Sequence, residues 1–484
     1  MAKSKIDLTN LSIFFAEWEK QYPVETWEVG GVHVWPIIKK KIFFITLVKG
    51  VGQTKRPSLI YSKIFNKVRK LVKAWVYIKK LKLEEATFLF SSIYEQRIIY
   101  KNKEFNRFIE PLMDYLEGEG ENSYFLEYPV VKENCANRPD RIVDINSMLP
   151  LYSSSRDKNR YVEELKQLPE FEAFLESVHE KTGIDARYHK NKLIRTILSI
   201  KSWEKVYTKI IKLTKPKYAV SLVYYSDAHY GFNLAARKLG VSSIDLQHGG
   251  LGKAHPAYYF SKIPVEGYNI LPNIFWVWSK SSYKDINIWT NNTPHKTLLG
   301  GNPWIGFLKQ KKKNNIKLQK LKPVVLFTLQ PINDIIPSYL YKVIEETKEE
   351  FEWWLRFHPR MSEMEKKSVE DKFKDLGILE NITIEYSSSA PLPLVLEECD
   401  LHLSFSSGSI TEAAILQRFS LILSETGINY YKNLIEEGWA FPCKEKDIQI
   451  IKNKIRNILD QKRNLVSEKE VDYRETLKLL LKQN

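Results

Sequence analysis

Val324-Val-Leu-Phe-Thr-Leu329, a helical stretch over 338–350 and Glu352-Trp-Trp-Leu-Arg-Phe357 open the part of the chain whose reading decides the fold. The alternation continues with a helix over 362–376, a strand at Ile382-Thr-Ile-Glu-Tyr386, a short helix over 391–398, a strand at Leu401-His-Leu-Ser-Phe405, a helix over 409–417 and a strand at Phe419-Ser-Leu-Ile-Leu423. Apolar runs that do not alternate with polar residues read as strands buried on both faces, which is the mark of a parallel sheet covered by helices. Five such strands with helices between them predict one doubly wound α/β domain over 323–455.

Working back from this domain, a polar cationic stretch, Lys309-Gln-Lys-Lys-Lys-Asn-Asn-Ile-Lys317, reads as a linker over 306–322. The same alternation precedes it less regularly, with strands over 86–93, 123–128, 218–225 and 243–247 and a helix over 227–239. This half, 84–305, reads as a second doubly wound domain. It carries a helical insertion over 161–211 whose mixed charge predicts ordinary solvated helices. The expectation is an α/β protein of two Rossmann-like domains whose strand carboxyl ends face a shared cleft, followed by a C-terminal helix over 456–484.

The 484 residues are 43% hydrophobic and 13% aromatic, which excludes disorder as the main state. Cys135, Cys399 and Cys443 are too few for a disulfide framework, so a reducing compartment is expected. The net charge of +16 calls for an anionic partner, and its placement is informative. Between Lys49 and Leu83 lie eleven Lys or Arg and no Asp or Glu, interleaved with apolar residues at helical spacing. Residues 1–83 thus form a basic extension in which 49–83 either lies on an anionic membrane surface or packs on the protein. Nucleic acid is disfavoured, because no reading module accompanies the charge. Trp27, Trp35, Phe43 and Phe44 flank Lys39-Lys40-Lys41 and are either interfacial anchors or the core of a small cap. The apolar run over 34–48 is too short to span a bilayer, and no signal core precedes it. A cytoplasmic protein, peripheral on the inner membrane face, is the expectation.

Three predicted strand ends carry chemistry. In Ser406-Ser-Gly-Ser-Ile-Thr-Glu412, the hydroxyls and free N–H groups of Ser406, Ser407, Gly408 and Ser409 suit a phosphate, and Glu412 suits a ribose diol. A capping box of Ser409 and Glu412 is the competing reading. In Arg356-Phe-His-Pro-Arg360, Arg356 and Arg360 flank His358, a set suited to clamping a phosphate and donating a proton to a leaving oxygen; a solvated strand end is the alternative. In Gln247-His-Gly-Gly250, followed by Gly252 and His255, glycines allow close ligand approach. His248 or Asp227 offers a general base, and no metal spacing is present.

Gln247-His-Gly249, His255-Pro-Ala-Tyr258, Gly300-Gly-Asn-Pro303, Arg356-Phe-His-Pro359 and Ser406-Ser-Gly-Ser-Ile-Thr-Glu-Ala413 occur in an order that resembles bacterial GT-B glycosyltransferases of capsule, O-antigen or lipopolysaccharide biosynthesis. Gly31-Val-His-Val-Trp-Pro-Ile-Ile38 is similar to a segment that opens some of them. The resemblance implies a nucleotide-sugar donor held by Arg356, His358, Arg360, Ser406, Ser407, Gly408, Ser409 and Glu412. It implies a glycan or lipid-linked acceptor near Gln247, Gly249, His255 and Asn302, catalysis by His248 or Asp227, and no cofactor or obligatory metal. Whether the donor carries CMP, UDP or GDP stays open. A CDP-glycerol-type polyol-phosphate transferase, a sugar-nucleotide 2-epimerase and a non-catalytic basic binding protein are the competing classes. The second needs several carboxylates in the cleft, where the motifs offer Asp227 and Glu412.

Overall fold

The computed structural model describes residues 8–48, 63–128, 136–185, 190–252, 255–311, 321–332, 334–461 and 471–483. The chain begins with α1 (Leu8–Gln21), a hairpin of β1 (Glu28–Val29) and β2 (Val32–His33), α2 (Trp35–Val48) and α3 (Lys63–Lys80). Next come β3 (Phe88–Ile93), a hairpin of β4 (Arg97–Tyr100) and β5 (Lys103–Asn106), α4 (Glu110–Gly118), β6 (Ser123–Tyr128), β7 (Ile142–Asp144) and α5 (Leu149–Tyr152). Three helices, α6 (Lys158–Lys166), α7 (Phe171–Thr182) and α8 (Lys190–Thr214), precede β8 (Tyr218–Leu222), α9 (Asp227–Lys238), β9 (Ser242–Leu246), β10 (Ile274–Val277), α10 (Lys280–Thr290) and β11 (Lys296–Leu299). After α11 (Pro303–Lys311) the second half runs β12 (Val324–Thr328), α12 (Ser338–Thr347), β13 (Glu352–Arg356), α13 (Glu363–Asp375), β14 (Ile382–Thr383), α14 (Glu385–Ser389), α15 (Leu392–Glu398) and β15 (Leu401–Ser404). It closes with α16 (Ser409–Ile415), β16 (Ser420–Ile422), α17 (Glu425–Tyr430), α18 (Lys432–Glu436), β17 (Ala440–Pro442), α19 (Ile448–Leu459) and α20 (Tyr473–Lys482).

Two all-parallel sheets result. The first has the order β11-β10-β9-β8-β3-β6-β7 and the second β14-β13-β12-β15-β16-β17. Numbered within each half, both follow the 3-2-1-4-5-6 order of a doubly wound sheet, the first with one strand added at its edge. In each, the chain reverses direction across the sheet between the first and fourth strands, β3 and β8 in one and β12 and β15 in the other. Loops leaving the carboxyl ends of those pairs diverge, and a crevice opens there.

The N-terminal segment is not a detached extension. Trp18, Trp27 and Trp35 are wholly buried against Phe171, Phe174 and the helices α7 and α8, and Phe43 is buried with them; Phe44 alone of the four expected anchors is exposed. The lysine triplet points inward. Lys39 Nζ donates to Glu19 Oε1 and to the Tyr259 carbonyl, both at 2.6 Å. Glu19 Oε1 also accepts from Trp35 Nε1 (2.8 Å), and Oε2 accepts from Ser261 N (2.7 Å). Lys40 donates to the Tyr225 carbonyl (2.7 Å) and Lys41 to Thr196 Oγ1 (2.9 Å). A buried ion pair persists only where hydrogen bonds use up its remaining valences, and this one is so equipped. The segment 8–48 is therefore a layer of the first domain.

Three further expectations change. The stretch 161–211 is not a solvated insertion. Ile194, Ile197, Trp203, Val206, Tyr207 and Ile210 recur at helical spacing along α8 and are buried, which makes α8 the partner of α9 on one face of the sheet. The strand expected over 382–386 stops at Thr383 and turns into α14, because Ser387 Oγ donates to the Thr383 and Leu355 carbonyls and draws the chain under β13. The expected linker begins as helix, since α11 runs to Lys311; residues 312–320 lie outside the described residues. The final helix α20 crosses back onto the first domain, where the Tyr218 hydroxyl donates to the Leu480 carbonyl (3.0 Å) and Leu477 and Leu480 pack with Phe88 and Phe108. Among the described residues no helix is long and apolar enough to cross a membrane.

Truncating Glu19 leaves Lys39 charged and buried without its carboxylate, so Glu19→Ala should cost about 3–5 kcal/mol in urea unfolding. Lys80→Ala, on an exposed helix face, should change it by less than about 0.5 kcal/mol. A loss below about 1 kcal/mol for Glu19→Ala would contradict the interior placement of the triplet.

Candidate active site

The crevice of the first sheet is built by a strained turn. Val223, just past β8, has φ +66°, a left-handed conformation that costs a β-branched residue about 1–2 kcal/mol. His229 is buried and holds the turn, with Nδ1 against the Val223 carbonyl (2.9 Å) and Nε2 against Ser91 Oγ (3.2 Å). The turn delivers Tyr225, whose hydroxyl lies 3.2 Å from His248 Nε2. The ring of His255 packs on Tyr225 and Tyr258, so two imidazoles and two phenols cluster at the end of β9. Below them Asp245 accepts from Tyr224 N (2.9 Å) and the Tyr258 hydroxyl (2.8 Å), and burial pushes its carboxyl up to about 8.

His248 is held down to about 4 by burial and by Arg107, and is neutral at physiological pH. Nδ1 of His248 is buried and finds no partner among the described residues; in the tautomer that donates Nε2–H to Tyr225 it carries a free lone pair. Gln247, expected near the acceptor, is instead a brace. Its amide donates to the Gly249 carbonyl and Ser282 Oγ and accepts from Trp278 N (2.8, 3.1 and 2.7 Å), which fixes the turn carrying His248.

Asp227 lies in the first turn of α9, where its charge acts on Lys40 and Lys41 of α2. Asn302 Oδ1 accepts from Trp304 N and Ile305 N (3.0 and 3.2 Å), so it caps α11, and its Nδ2 is buried without a partner among the described residues.

On the second sheet, α14 curls under Arg356, whose guanidinium donates to the carbonyls of Ser387 and Ala390. Burial lowers Arg356 to about 10, against the favourable charge of Glu412, so it stays charged at pH 7. Nδ1 of His358 accepts from Arg360 N (3.1 Å), which puts the ring proton on Nε2. Burial, Arg360, Arg107 and Arg356 together hold this imidazole at about 4.

The capping-box reading of Ser409 and Glu412 fails. Ser409 Oγ turns inward to Thr328 Oγ1 (3.0 Å) and His402 Nε2 (3.2 Å), while His402 Nδ1 meets Ser420 Oγ (2.9 Å). The cap residue is Gly408, without a side-chain bond. Glu412 is left buried, with Oε2 unpartnered among the described residues and its pKa raised by burial against the pull of Arg107 and Arg356. Gln330, at the end of β12, accepts from Ser406 N (2.8 Å) and so joins the two strand ends that flank the crevice. The expected phosphate seat loses strength, since α16 is only two turns long and one of its preceding N–H groups is already used.

Arg107, which carries no motif, ties the rims together. It follows β5, and its turn is pinned from beneath: Arg97 is buried and donates to Glu127 and Glu110 (2.6 and 2.7 Å), and Glu110 accepts from Asn106 N (3.0 Å). Asn106 Oδ1 in turn accepts from Phe108 N and Ile109 N (3.2 and 3.1 Å). Arg107 itself pairs with no carboxylate among the described residues, and its charge acts on His248 of one sheet and on Arg356, His358 and Glu412 of the other. The facing turns nearly touch, since a Cβ on Gly408 would sit 3.4 Å from the Gly249 Cα.

No family model and no curated protein matches the sequence. Among solved structures, a candidate UDP-N-acetylglucosamine 2-epimerase of Listeria monocytogenes superposes with a TM-score of 0.50 at 13% identity, over 81% of this chain and 95% of that one. The chain has the GT-B fold. Also similar are a UDP-GlcNAc 2-epimerase of Neisseria meningitidis bound to UDP-GlcNAc (TM-score 0.49, 14% identity, 82% of this chain and 99% of that one) and a calicheamicin glycosyltransferase (0.45, 12%, 82% and 94%). These neighbours are enzymes of nucleotide sugars. In this GT-B chain, the two crevices converge on Arg107, and His248, Arg356, His358 and Glu412 surround it. Gln247, Ser409 and Asn302 brace the frame, and Asp227 acts on Lys40 and Lys41 of α2.

His229, His248, His255, His295, His358 and His402 are all held near 3 to 4 by burial first. The folded protein then binds fewer protons than the unfolded chain once the pH drops below about 6.5. Stability present above that pH is lost toward pH 4, at up to about 1.4 kcal/mol per pH unit for each imidazole. The urea midpoint should therefore fall clearly between pH 8 and pH 5, and a constant midpoint would contradict the burial of these rings.

Proposed function

We propose that the protein is a glycosyltransferase that moves a sugar from a nucleotide sugar to a cell-surface glycan or lipid-linked acceptor. The observation that carries the reading is Glu412. It is a buried carboxylate with one oxygen unpartnered, and guanidiniums from both domains, Arg107 and Arg356, act on it. Leaving such an oxygen without a donor costs a few kcal/mol, and the two hydroxyls of a ribose would supply one. Its neighbours complete a nucleotide: Arg107 and Arg356 are cations for phosphate, and His358 presents Nε2–H.

In the reaction, the acceptor hydroxyl oxygen attacks the anomeric carbon and gives its proton to Nδ1 of His248. The bond from the anomeric carbon to the phosphate oxygen breaks, and the charge left on that oxygen is met by Arg107, Arg356 and His358. A neutral base on one sheet and a cationic phosphate site on the other suit transfer between two substrates. Epimerisation at one sugar carbon asks for several carboxylates around the sugar itself, and the charge of Asp227 acts on Lys40 and Lys41 of α2.

UDP, GDP and CMP should be tested by thermal shift. One of them at a hundredfold excess over Kd adds about 2.7 kcal/mol of stability and raises the melting temperature by several degrees. Glu412→Gln should abolish that shift without lowering the melting temperature of the free protein, because it removes a desolvated charge. If none of the three nucleotides shifts the melting point, the reading falls. Conversion of a UDP-sugar to its 2-epimer without acceptor would establish the epimerase class instead.

A further inference from the structure

We propose that α3 docks the protein on an anionic lipid bilayer. The docking stands on the helix alone and holds or fails independently of the transferase reading. Two apolar faces lie on this one helix. Ala74, Tyr77, Ile78 and Leu81, spaced three and four apart, pack on the first domain, and the Tyr77 hydroxyl accepts from Asp144 N (2.9 Å). That face is what holds the helix in the fold. On the other side Val68, Val72 and Trp75 are 57%, 55% and 52% exposed and Val76 is also exposed, a continuous apolar stripe that packs on nothing described.

Charge identifies the occupant. The stripe is flanked by Arg69, Lys73 and Lys80, and Lys79 Nζ lies 3.9 Å over the Trp75 ring. The whole segment from Lys49 to Leu83 has eleven basic residues and no acid. A protein partner would bury the stripe against a matching apolar patch and leave these cations unmatched. An anionic bilayer satisfies both requirements, taking Trp75 and the valines at the headgroup level and contributing about 1 kcal/mol for each basic residue at its surface. The position is apt as well. α3 packs on α5, which follows the carboxyl end of β7, so the stripe lies toward the end of the sheet that carries the site.

The test is co-sedimentation of the full chain with phosphatidylglycerol–phosphatidylcholine vesicles and with phosphatidylcholine vesicles. Binding is expected to the first and not to the second, and should be lost at 0.5 M NaCl. The variant Val72→Glu with Trp75→Glu changes only exposed residues and should keep its melting temperature while losing at least tenfold in vesicle affinity. Arg69→Glu with Lys73→Glu should lose affinity as well. Equal binding to neutral vesicles, unchanged binding by the first variant, or a wild-type dimer in sedimentation velocity that the variant converts to monomer would each overturn the proposal. RNA binding without vesicle binding would overturn it too.

Discussion

The Arg107 guanidinium of one domain, whose charge bears on Arg356, His358 and Glu412 of the other, is the constraint on which the site depends. With Arg356 and Arg360 it depresses His358, its charge opposes that of Arg356, and the Glu412 carboxylate stands against Arg107 and Arg356. Such an arrangement is costly without an anion and favourable with one. The free protein holds it because each cation is anchored from behind by groups that cannot move: the Arg97–Glu110–Glu127 network beneath Arg107, and the Ser387 and Ala390 carbonyls beneath Arg356. An anion seated between them would need little reorganisation of these charges.

The same logic explains polar groups that the chemistry does not use. His402 with Thr328, Ser409 and Ser420, and His229 with Val223 and Ser91, are buried and hydrogen-bonded on both ring nitrogens. Each fixes a turn at the point where a sheet's strand order reverses. Gln247 and Gln330 do the same with amides, one binding a β9 turn to β10 and the other joining β12 to β15. Fully satisfied buried networks of this kind specify one geometry.

The sheets were legible in the sequence because strands buried on both faces leave runs rich in apolar residues, unbroken over Val324–Phe327 of β12 and broken only by serine in β3 and β8. Strands β10 and β11 were not read, since four-residue runs such as Ile274–Val277 lie among aromatic loop residues and show no distinct period. Local motifs located His248, Arg356, His358 and Glu412, but not what their neighbours do. Ser409 looks like a cap because Glu412 follows three residues later, yet a histidine seven residues upstream recruits its hydroxyl. The lysine triplet looks exposed because its partners, Glu19 and Tyr259, lie 20 and 220 residues away from Lys39. Arg107 follows a hairpin and carries no pattern; only the fold brings it to the other domain's residues.

The central claim is that Arg107 of one domain and Arg356 of the other hold the same nucleotide phosphate. A calorimetric double-mutant cycle measures this directly, with Arg107→Ala and Arg356→Ala alone and together, titrated with whichever of UDP, GDP and CMP binds the wild type. Groups acting on one phosphate should be non-additive, with a coupling energy of about 0.5–3 kcal/mol. Losses that simply add, or an Arg107→Ala protein that binds as the wild type does, would contradict it.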